Sequence, residues 1–178
     1  MYENIYPEER FNNTLKFMRK HLKVASSILD LGVSNPFTKI MEEQGHNVLN
    51  TDGSDLDFHY NQVNTIGEYE VCTAFEILEH LISPMSVIKE LKCDKLFVTV
   101  PLNLWFTPAY RSKTDKWDRH FHEFEDWQMD WLLEKAGWDI VDKEKWIIKQ
   151  KKIGFRPFLR NRTPRYYAVY AERVKLNN

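Results

Sequence analysis

A chain of 178 residues has the length of one domain built around a single hydrophobic core. Hydrophobic residues make up 43% of the chain and charged residues 29%, a balance that excludes a disordered or collagen-like protein. No uncharged stretch approaches the roughly 18 apolar residues that span a membrane, and the acidic N-terminus is unlike a secretion signal. We therefore expect one cytoplasmic domain over residues 1–178, with Cys72 and Cys93 as free thiols.

The formal net charge of −1 hides an uneven distribution of charge along the chain. Residues 1–142 contain 14 lysines and arginines against 24 acidic residues, whereas residues 143–178 contain 11 against 2. Most of the positive excess lies in a basic segment, residues 143–165, which we expect between the last two strands. Such a segment attracts phosphate or another polyanion, or it pairs with the acidic part of the chain, and the sequence leaves both interpretations open.

The spacing of apolar residues predicts helices and strands that alternate along the chain. After an amphipathic helix over residues 7–22, the short apolar run at 27–32 predicts a buried first strand. Asn35 and Pro36 then favour a helix start, because asparagine is a good N-cap and proline suits the first helical position. We expect that helix to end near residue 44. The elements predicted after it are, in chain order, strands at 47–51 and 69–75, a helix at 84–91, a strand at 95–100, a helix at 125–136, and strands at 138–141 and 166–171. This order predicts an open α/β fold, with a mostly parallel sheet, helices on both faces and a C-terminal antiparallel strand.

Polar residues follow the predicted parallel strands, at the edge where open α/β sheets bind their ligands. The turn at 32–36 follows the first strand and leads into a helix N-terminus, whose unpaired N–H groups suit polar or anionic ligand groups. Asp52 follows the second strand, at about the distance from the first strand where an acid commonly holds ribose hydroxyls. Glu76, Glu79 and His80 follow the third strand. The sequence therefore predicts a polar ligand site at this edge.

Five segments of the chain resemble the class I S-adenosylmethionine-dependent methyltransferases, in the order of that family. They read ILDLG at 28–32, VLNTDGS at 48–54, YEVCTAFEILEHL at 69–81, LFVTVP at 96–101 and HFHEFEDWQMDWLLEKAGW at 120–138. The resemblance covers most of the chain and is to the E-x-L-E-H subgroup. It implies a Rossmann-like fold, S-adenosylmethionine as the cofactor and a methyltransferase activity.

The resemblance also implies a residue for each part of the cofactor. The turn at Gly32 would lie against the methionine part, and Asp52 would take the ribose hydroxyls. Residues 57 and 58 would flank the adenine, and residues 74 and 75 would approach the sulfonium. The complete implied set is Asp30, Gly32, Ser34, Asp52, Gly53, Asp57, Phe58, Ala74 and Phe75. Residues 1–24 would form a helical cover over the cofactor, with Tyr2, Tyr6 and Arg10 as parts of it.

Two features depart from the family pattern. The family turn reads like DLGCGTG, whereas this chain has Ser34 and Pro36 where two of the glycines would stand. If those positions needed a left-handed backbone, each replacement would cost about 1–2 kcal/mol, so we expect the turn to follow a different path. The link between residues 52 and 69 is short, and we expect the sheet to lack a full strand there.

The residues after the third strand suggest acid–base chemistry. On a helical turn Glu76, Glu79 and His80 share one face, and an imidazole can accept a proton near neutral pH. His80, helped by Glu79, is therefore the candidate base. A metal is the alternative: Glu76, Glu79, His80 and His122 match methyltransferases that modify the 2′-hydroxyl of small RNAs, and His120 lies at an alternate position. The same pattern also occurs in metal-free family members, and we expect no metal.

The sequence thus predicts transfer of a methyl group to an oxygen or nitrogen of a small or anionic substrate, with nucleic acid a less favoured partner. One alternative is a catalytically degenerate binding or scaffold protein, in which Glu79 and His80 only order their turn and Asp52 is a turn residue. A metal-dependent RNA 2′-O-methyltransferase is another. A nicotinamide-dependent oxidoreductase ranks below these, because G-x-G-x-x-G is missing after the first strand. We expect Trp127, Trp131 and Trp138 to pack within the fold.

Overall fold

A computed structural model describes residues 7–149 and 153–174. The strands are β1 Ser27–Asp30, β2 Asn47–Asn50, β3 Val71–Phe75, β4 Lys95–Pro101, β5 Trp138–Trp146 and β6 Tyr166–Arg173. The helices are α1 Glu8–His21, α2 Pro36–Glu43, α3 Gln62–Thr65, α4 Pro84–Glu90, α5 Asp126–Lys135 and α6 Phe155–Arg160, and a 3-10 turn spans Leu78–His80. The element order therefore confirms the predicted alternation, with α3 and α6 as additions.

The six strands form one sheet in the order β2-β1-β3-β4-β6-β5. Strands β1 to β4 pair in parallel, and β6 lies antiparallel between β4 and β5. This confirms the open, mostly parallel α/β fold with a C-terminal antiparallel strand. The chain leaves β1 in one direction to form β2 and then returns to its other side to form β3. The crevice at the carboxyl ends of β1 and β3 is therefore the position where such a sheet binds ligands.

Helices cover both faces of the sheet, and apolar side chains alternate between the faces as the pleat requires. In β4, Phe97 belongs to the core that α1 and α2 cover, whereas Leu96 and Val98 belong to the core under α4 and α5. The two cores leave the carboxyl edge of the sheet open to loops. No described helix has the length and apolar composition that crossing a membrane requires.

The C-terminal end of β5 differs from the prediction, and the chain after β2 follows it. The strand predicted at 138–141 continues to Trp146 through a bulge between Ile140 and Asp142, because every further residue pairs with β6. The first four residues of the basic segment therefore belong to the sheet. Between β2 and β3 the described chain holds only the short helix α3, so β2 is an edge strand, as the short link predicts.

The prediction that three tryptophans pack inside the fold is correct for one of them. Trp138 is fully buried, but Trp127 and Trp131 are 44% and 64% exposed and contact each other edge to face. Their spacing explains the error. Met129 and Leu133 occupy the opposite side of α5 at the same spacing of four, and that pair faces the core.

Candidate functional site

The turn after β1 is tight, and a glycine occupies its left-handed position. Gly32 has φ +101°, and a Cβ atom there would lie 3.1 Å from Ile77 Cδ1. Its N–H donates to Thr51 Oγ1 over 2.8 Å, which fixes the turn to the end of β2. Ser34 and Pro36 do not have positive φ. The loss of two family glycines therefore carries no left-handed strain at Ser34 or Pro36.

Asn35, which lies between Ser34 and Pro36, caps the N-terminus of α2. Its Oδ1 accepts hydrogen bonds from the N–H groups of Phe37 (2.8 Å) and Thr38 (3.4 Å), and Thr38 Oγ1 accepts from Asn35 N–H in return. This reciprocal cap is a strong helix start. It also means that the amides of Phe37 and Thr38 already have side-chain partners.

Asp30 supports the turn from below. Its side chain is buried, and it accepts hydrogen bonds from Thr73 Oγ1 (2.6 Å), Asn50 Nδ2 (2.9 Å) and Thr38 Oγ1 (3.4 Å). Burial raises the pKa of its carboxyl to about 6, against the lowering effect of these bonds. The carboxyl thus links β1, β2, β3 and α2, and its role at the site is to position the turn.

Asp52 and Gly53 lie at the end of β2. Asp52 is exposed, and its Oδ1 accepts from Ser54 N–H (2.9 Å) and Ser54 Oγ (2.6 Å). These bonds lower the pKa of the carboxyl, which is therefore an anion at neutral pH. Gly53 has φ +83°, and a Cβ atom there would meet Val33 Cγ1 at 2.5 Å. The two loops that would hold the cofactor therefore touch at Val33 and Gly53.

The four other residues implied for the cofactor differ in exposure and in their contacts. The carboxylate of Asp57 accepts from the N–H groups of Ile82 and Ser83, each over 2.8 Å, and so caps the start of α4. Phe58 is 77% exposed. Ala74 is buried in β3, and the partly exposed Phe75 ring contacts Phe37 edge to face.

A small pocket of about 30 Å³, open to solvent on one side, lies beside the turn. It is lined by residues from α1, the start of α2, β3 and β4, namely Arg10, Phe11, Thr14, Asn35, Phe37, Phe75, Glu76 and Thr99. The pocket, the glycine turn and the ionised Asp52 lie at the same edge of the sheet.

Arg10 and Glu76 form the polar wall of the pocket. Arg10 Nη1 donates to Glu76 Oε2 over 2.8 Å, and both side chains are largely buried. Burial raises the pKa of Glu76 despite the favourable charge of Arg10. Glu76 has a left-handed backbone (φ 56°), the one such non-glycine residue in the described ranges. Backbone strain of this kind often marks a functional site. Arg10 lies where the cover was predicted, whereas Tyr2 and Tyr6 lie outside the described residues.

A second polar cluster consists of Glu79, His80 and His120. Phe121 N–H donates to the carbonyl of Glu79 over 2.8 Å, and His80 Nδ1 lies 3.1 Å from the carbonyl of Arg119. The two imidazole rings meet edge to face with centroids 4.8 Å apart. Glu79 Oε2 is buried without a hydrogen-bond partner among the described residues. The cluster is therefore held in place by the backbone of the loop after β4.

Burial controls the charge of this cluster. The pKa of Glu79 is raised well above its ordinary value, first by burial and then by the nearby Glu76. The pKa of His120 is lowered to about 4, first by burial and then by His80. His120 is therefore a neutral imidazole at neutral pH, and burial disfavours the charged form of Glu79.

The structure does not bring together the residue set that was considered for a metal. Donor atoms of Glu79, His80 and His120 lie within 4.8 Å of one another, but Glu76 pairs with Arg10 instead. His122 Nε2 lies 3.2 Å from the carbonyl oxygen of Ile82. The predicted shared face of the three residues after β3 is thus divided between two clusters. His120 belongs to the cluster with Glu79 and His80. In the sequence its only signal is its position two residues before His122.

Comparison with known proteins identifies the fold. No protein-family model and no curated protein sequence matches the chain, but solved structures do. The 1,6-didemethyltoxoflavin-N1-methyltransferase of Burkholderia thailandensis, with S-adenosylhomocysteine bound, has a TM-score of 0.67 at 17% identity, over 95% of this chain and 80% of that chain. A SAM-dependent methyltransferase of Archaeoglobus fulgidus has a TM-score of 0.65 at 14% identity, over 93% and 94%.

The chain has the fold of the S-adenosylmethionine-dependent methyltransferases. The [4+2]-cyclase SpnF has it as well, with a TM-score of 0.55 at 15% identity over 97% of this chain and 84% of that chain. A methyltransferase fold therefore does not by itself specify methyl transfer, and the function has to be argued from the site.

Proposed function

We propose that this protein is a methyltransferase that uses S-adenosylmethionine to methylate an oxygen or nitrogen of a small or anionic substrate. The observation that carries the proposal is the convergence at one sheet edge of the Gly32 turn, the ionised Asp52 and the pocket beside Arg10. These features stand at the strand-order reversal of a methyltransferase fold, where that fold binds its ligand.

Each part of the cofactor has a plausible partner in this chain. Both hydrogen bonds from Ser54 go to Asp52 Oδ1, so Oδ2 can accept hydrogen bonds from the ribose hydroxyls. The exposed ring of Phe58 offers a face to the adenine, and the amino-acid part would lie at the mouth of the pocket beside Phe37 and Phe75. When bound, S-adenosylmethionine supplies a methyl group already activated by the sulfonium. The protein then has to align an acceptor and exclude water.

His80 is the candidate base for a protonated acceptor. Its Nδ1 lies within hydrogen-bond distance of the Arg119 carbonyl, and donation there leaves the Nε2 lone pair for the acceptor proton. Nε2 also lies 3.8 Å from Glu79 Oε1, beyond hydrogen-bond distance, so Glu79 would help the ring through its charge or after a small shift. A base of this kind typically contributes about 10² to 10⁴ in rate. Once an acceptor is known, we expect His80→Ala to lower kcat within this range.

An anionic acceptor is favoured by two arginines, namely Arg10 in the pocket wall and Arg165, whose charge favours the ionised form of the pocket residue Glu76. Arg165 lies between β4 and β5: its N–H donates to the Trp146 carbonyl, and its carbonyl accepts from Leu102 N–H. Its guanidinium carbon lies 5.4 Å from the ring centroid of Tyr166. A small substrate is also consistent with the Burkholderia enzyme of the same fold, which was solved with 1,6-didemethyltoxoflavin.

Titration calorimetry with S-adenosylmethionine and S-adenosylhomocysteine tests the proposal. We expect micromolar binding, about −8 kcal/mol, and at least a roughly tenfold loss in Asp52→Ala, equal to about 1.4 kcal/mol. The matched control is Asp139→Ala, an exposed aspartate on β5, which should bind like the wild type. Absence of binding to folded wild-type protein at millimolar ligand would contradict the proposal.

A binding protein without catalysis is the alternative that one observation favours. Asn35 already occupies the amides of Phe37 and Thr38, so α2 has fewer donors for a cofactor carboxylate. This alternative predicts no cofactor binding, and the same titration separates the two. A metal-dependent RNA methyltransferase would bind the cofactor but lose activity when divalent metal is removed.

A further inference from the structure

The basic segment consists of two parts with different partners. In the strand part, Lys143 Nζ lies 2.7 Å from Asp130 Oδ2 and Lys145 Nζ lies 2.5 Å from Asp126 Oδ2. These pairs neutralise acids of α5. In the described part of the connection to β6, residues 147–149 and 153–165, there are five cations and no acid. Among the described residues none of these five forms a salt bridge, although the charge of Arg165 favours the ionised form of Glu76 from a greater distance. The four others therefore have no acid as a salt-bridge partner within the described ranges.

Apolar side chains of the same connection are exposed. Helix α6 buries none of its residues, whereas a surface helix normally packs an apolar face against the core. Ile153 is fully exposed, Phe155 is 76% exposed and Phe158 is 49% exposed. The guanidinium carbon of Arg162 lies 3.8 Å from the ring centroid of Phe158, so cations and apolar groups occupy one surface. We call this surface the α6 patch: Ile153, Phe155, Arg156, Phe158, Arg160 and Arg162.

We propose that the α6 patch docks on an anionic lipid surface. Exposed aromatic and aliphatic side chains beside arginines are the composition of segments that lie in the membrane interface. The rest of the chain supports a single orientation, because residues 1–142 have an excess of ten acids and an anionic surface repels them. A second copy of the chain is a poor occupant, because two patches would bring like charges together.

Lipid fits the α6 patch better than RNA does. Single-stranded nucleic acid binds by stacking bases on aromatic rings, and Ile153, the most exposed apolar residue, has no ring. Insertion at the headgroup boundary instead rewards any apolar side chain by its area. The connection starts and ends beside Pro101 and Tyr166, at the edge that holds the Arg10 pocket. Docking would therefore bring that pocket close to the lipid surface.

Vesicle flotation of the full chain tests the docking surface. We expect the protein to float with vesicles of phosphatidylcholine and phosphatidylglycerol, and to bind vesicles of phosphatidylcholine alone at least roughly tenfold more weakly. Phe155→Ser with Phe158→Ser, and separately Arg156→Glu with Arg160→Glu, should each lower partition roughly tenfold or more. Phe155, Arg156 and Phe158 are exposed, whereas Arg160 is half-buried with its Nε enclosed. An unchanged thermal melting curve is therefore required of both double variants to confirm folding.

Two control variants keep the test specific. Lys23→Glu with Lys89→Glu makes the same charge change at exposed sites near the amino ends of the strands, and Val24→Ser removes an exposed apolar side chain there. Both should float like the wild type. The proposal is overturned if the folded wild type does not float, or if the phenylalanine variant floats normally. It is also overturned if an RNA oligonucleotide binds more tightly than the vesicles through the same arginines.

The docking proposal does not depend on methyl transfer. The patch variants should bind S-adenosylhomocysteine with the affinity of the wild type, and Asp52→Ala should float normally. Failure of one proposal is therefore visible without failure of the other.

Discussion

Gly53 and Gly137 have the same backbone conformation in different surroundings. Their φ angles are +83° and +88°, but a Cβ atom on Gly53 would meet Val33, whereas one on Gly137 would meet nothing within 4 Å. Val33 is 55% exposed and can give way. When it does, the turn that we assign to the cofactor moves with it.

The difference between Gly53 and Gly137 predicts different effects of the same substitution on ligand binding. Gly53→Ala and Gly137→Ala should each lower the free energy of unfolding by about 1–2 kcal/mol, because both force alanine into a left-handed backbone. Only Gly53→Ala should also weaken binding of S-adenosylhomocysteine. Urea unfolding and calorimetry on both variants check this, and equal affinity of the two would argue against a cofactor turn at Val33.

The buried carboxyl of Asp30 predicts a pH dependence of stability. Its pKa in the folded chain is about 6, above the ordinary 3.8, because burial disfavours the charged form. Between these values the folded chain binds more protons than the unfolded chain, so stability falls as the pH rises. The expected loss from this group is about 3 kcal/mol.

Asp30→Asn isolates that effect, because an amide has nearly the same shape and does not titrate. Urea unfolding of both proteins from about pH 4 to about pH 7 should show the stability of the wild type declining relative to the variant by about 2 kcal/mol, because the unfolded carboxyl is already more than half ionised at pH 4. The other ionisable groups are common to both proteins. Parallel stability curves would show that the Asp30 carboxyl has an ordinary pKa.

At the scale of elements, helix α1 both closes one core and lines the pocket. Phe17 is buried and contacts Phe97 and Trp146 edge to face at about 6 Å between ring centroids. On the same helix, Arg10 contributes to the pocket. The packing of this helix therefore couples the stability of the fold to the shape of the site.

Substitution of two phenylalanines, one buried and one exposed, distinguishes effects on stability from effects on ligand binding. Phe17→Ala should lower the free energy of unfolding by about 3–5 kcal/mol, because it leaves a cavity in the core. Phe58→Ala removes an exposed ring and should change stability by less than about 0.5 kcal/mol, while it weakens S-adenosylhomocysteine binding by about 1 kcal/mol if the ring flanks adenine. Thermal unfolding with and without ligand measures both. Unchanged affinity in Phe58→Ala would place the adenine elsewhere.

Elements whose signals are local could be predicted from the sequence. The start of α2 follows from Asn35 and Pro36 alone, and the cap is present as expected. The extension of β5 to Trp146 could not be predicted, because its polar residues become a strand only by pairing with β6. The exposed tryptophans of α5 show the same limit: spacing alone does not tell which of two apolar stripes faces the core.

The site depends even more on contacts between distant residues. Asp57 caps α4 through the amides of Ile82 and Ser83, about 25 positions later in the chain. His120 joins His80 because the loop after β4 bonds to Glu79. No sequence motif contains this information, so the sequence predicts which strand ends carry the chemistry but not how the side chains pair.

At the scale of the whole molecule, the account divides the carboxyl edge of the sheet into two functions. In our proposals the ends of β1, β2 and β3 would hold the cofactor, and the connection between β5 and β6 would approach an anionic surface. The acidic excess in residues 1–142 and the basic excess after them follow this division. The fold places both functions around one pocket.

The measurement that tests the cofactor site most directly is the amide NMR spectrum of ¹⁵N-labelled protein during titration with S-adenosylhomocysteine. The account predicts that the amides of Gly32, Ser34, Asp52 and Gly53 shift together and saturate, while those of the α6 patch stay unchanged. No shift at millimolar ligand, or shifts confined to other parts of the chain, would contradict it.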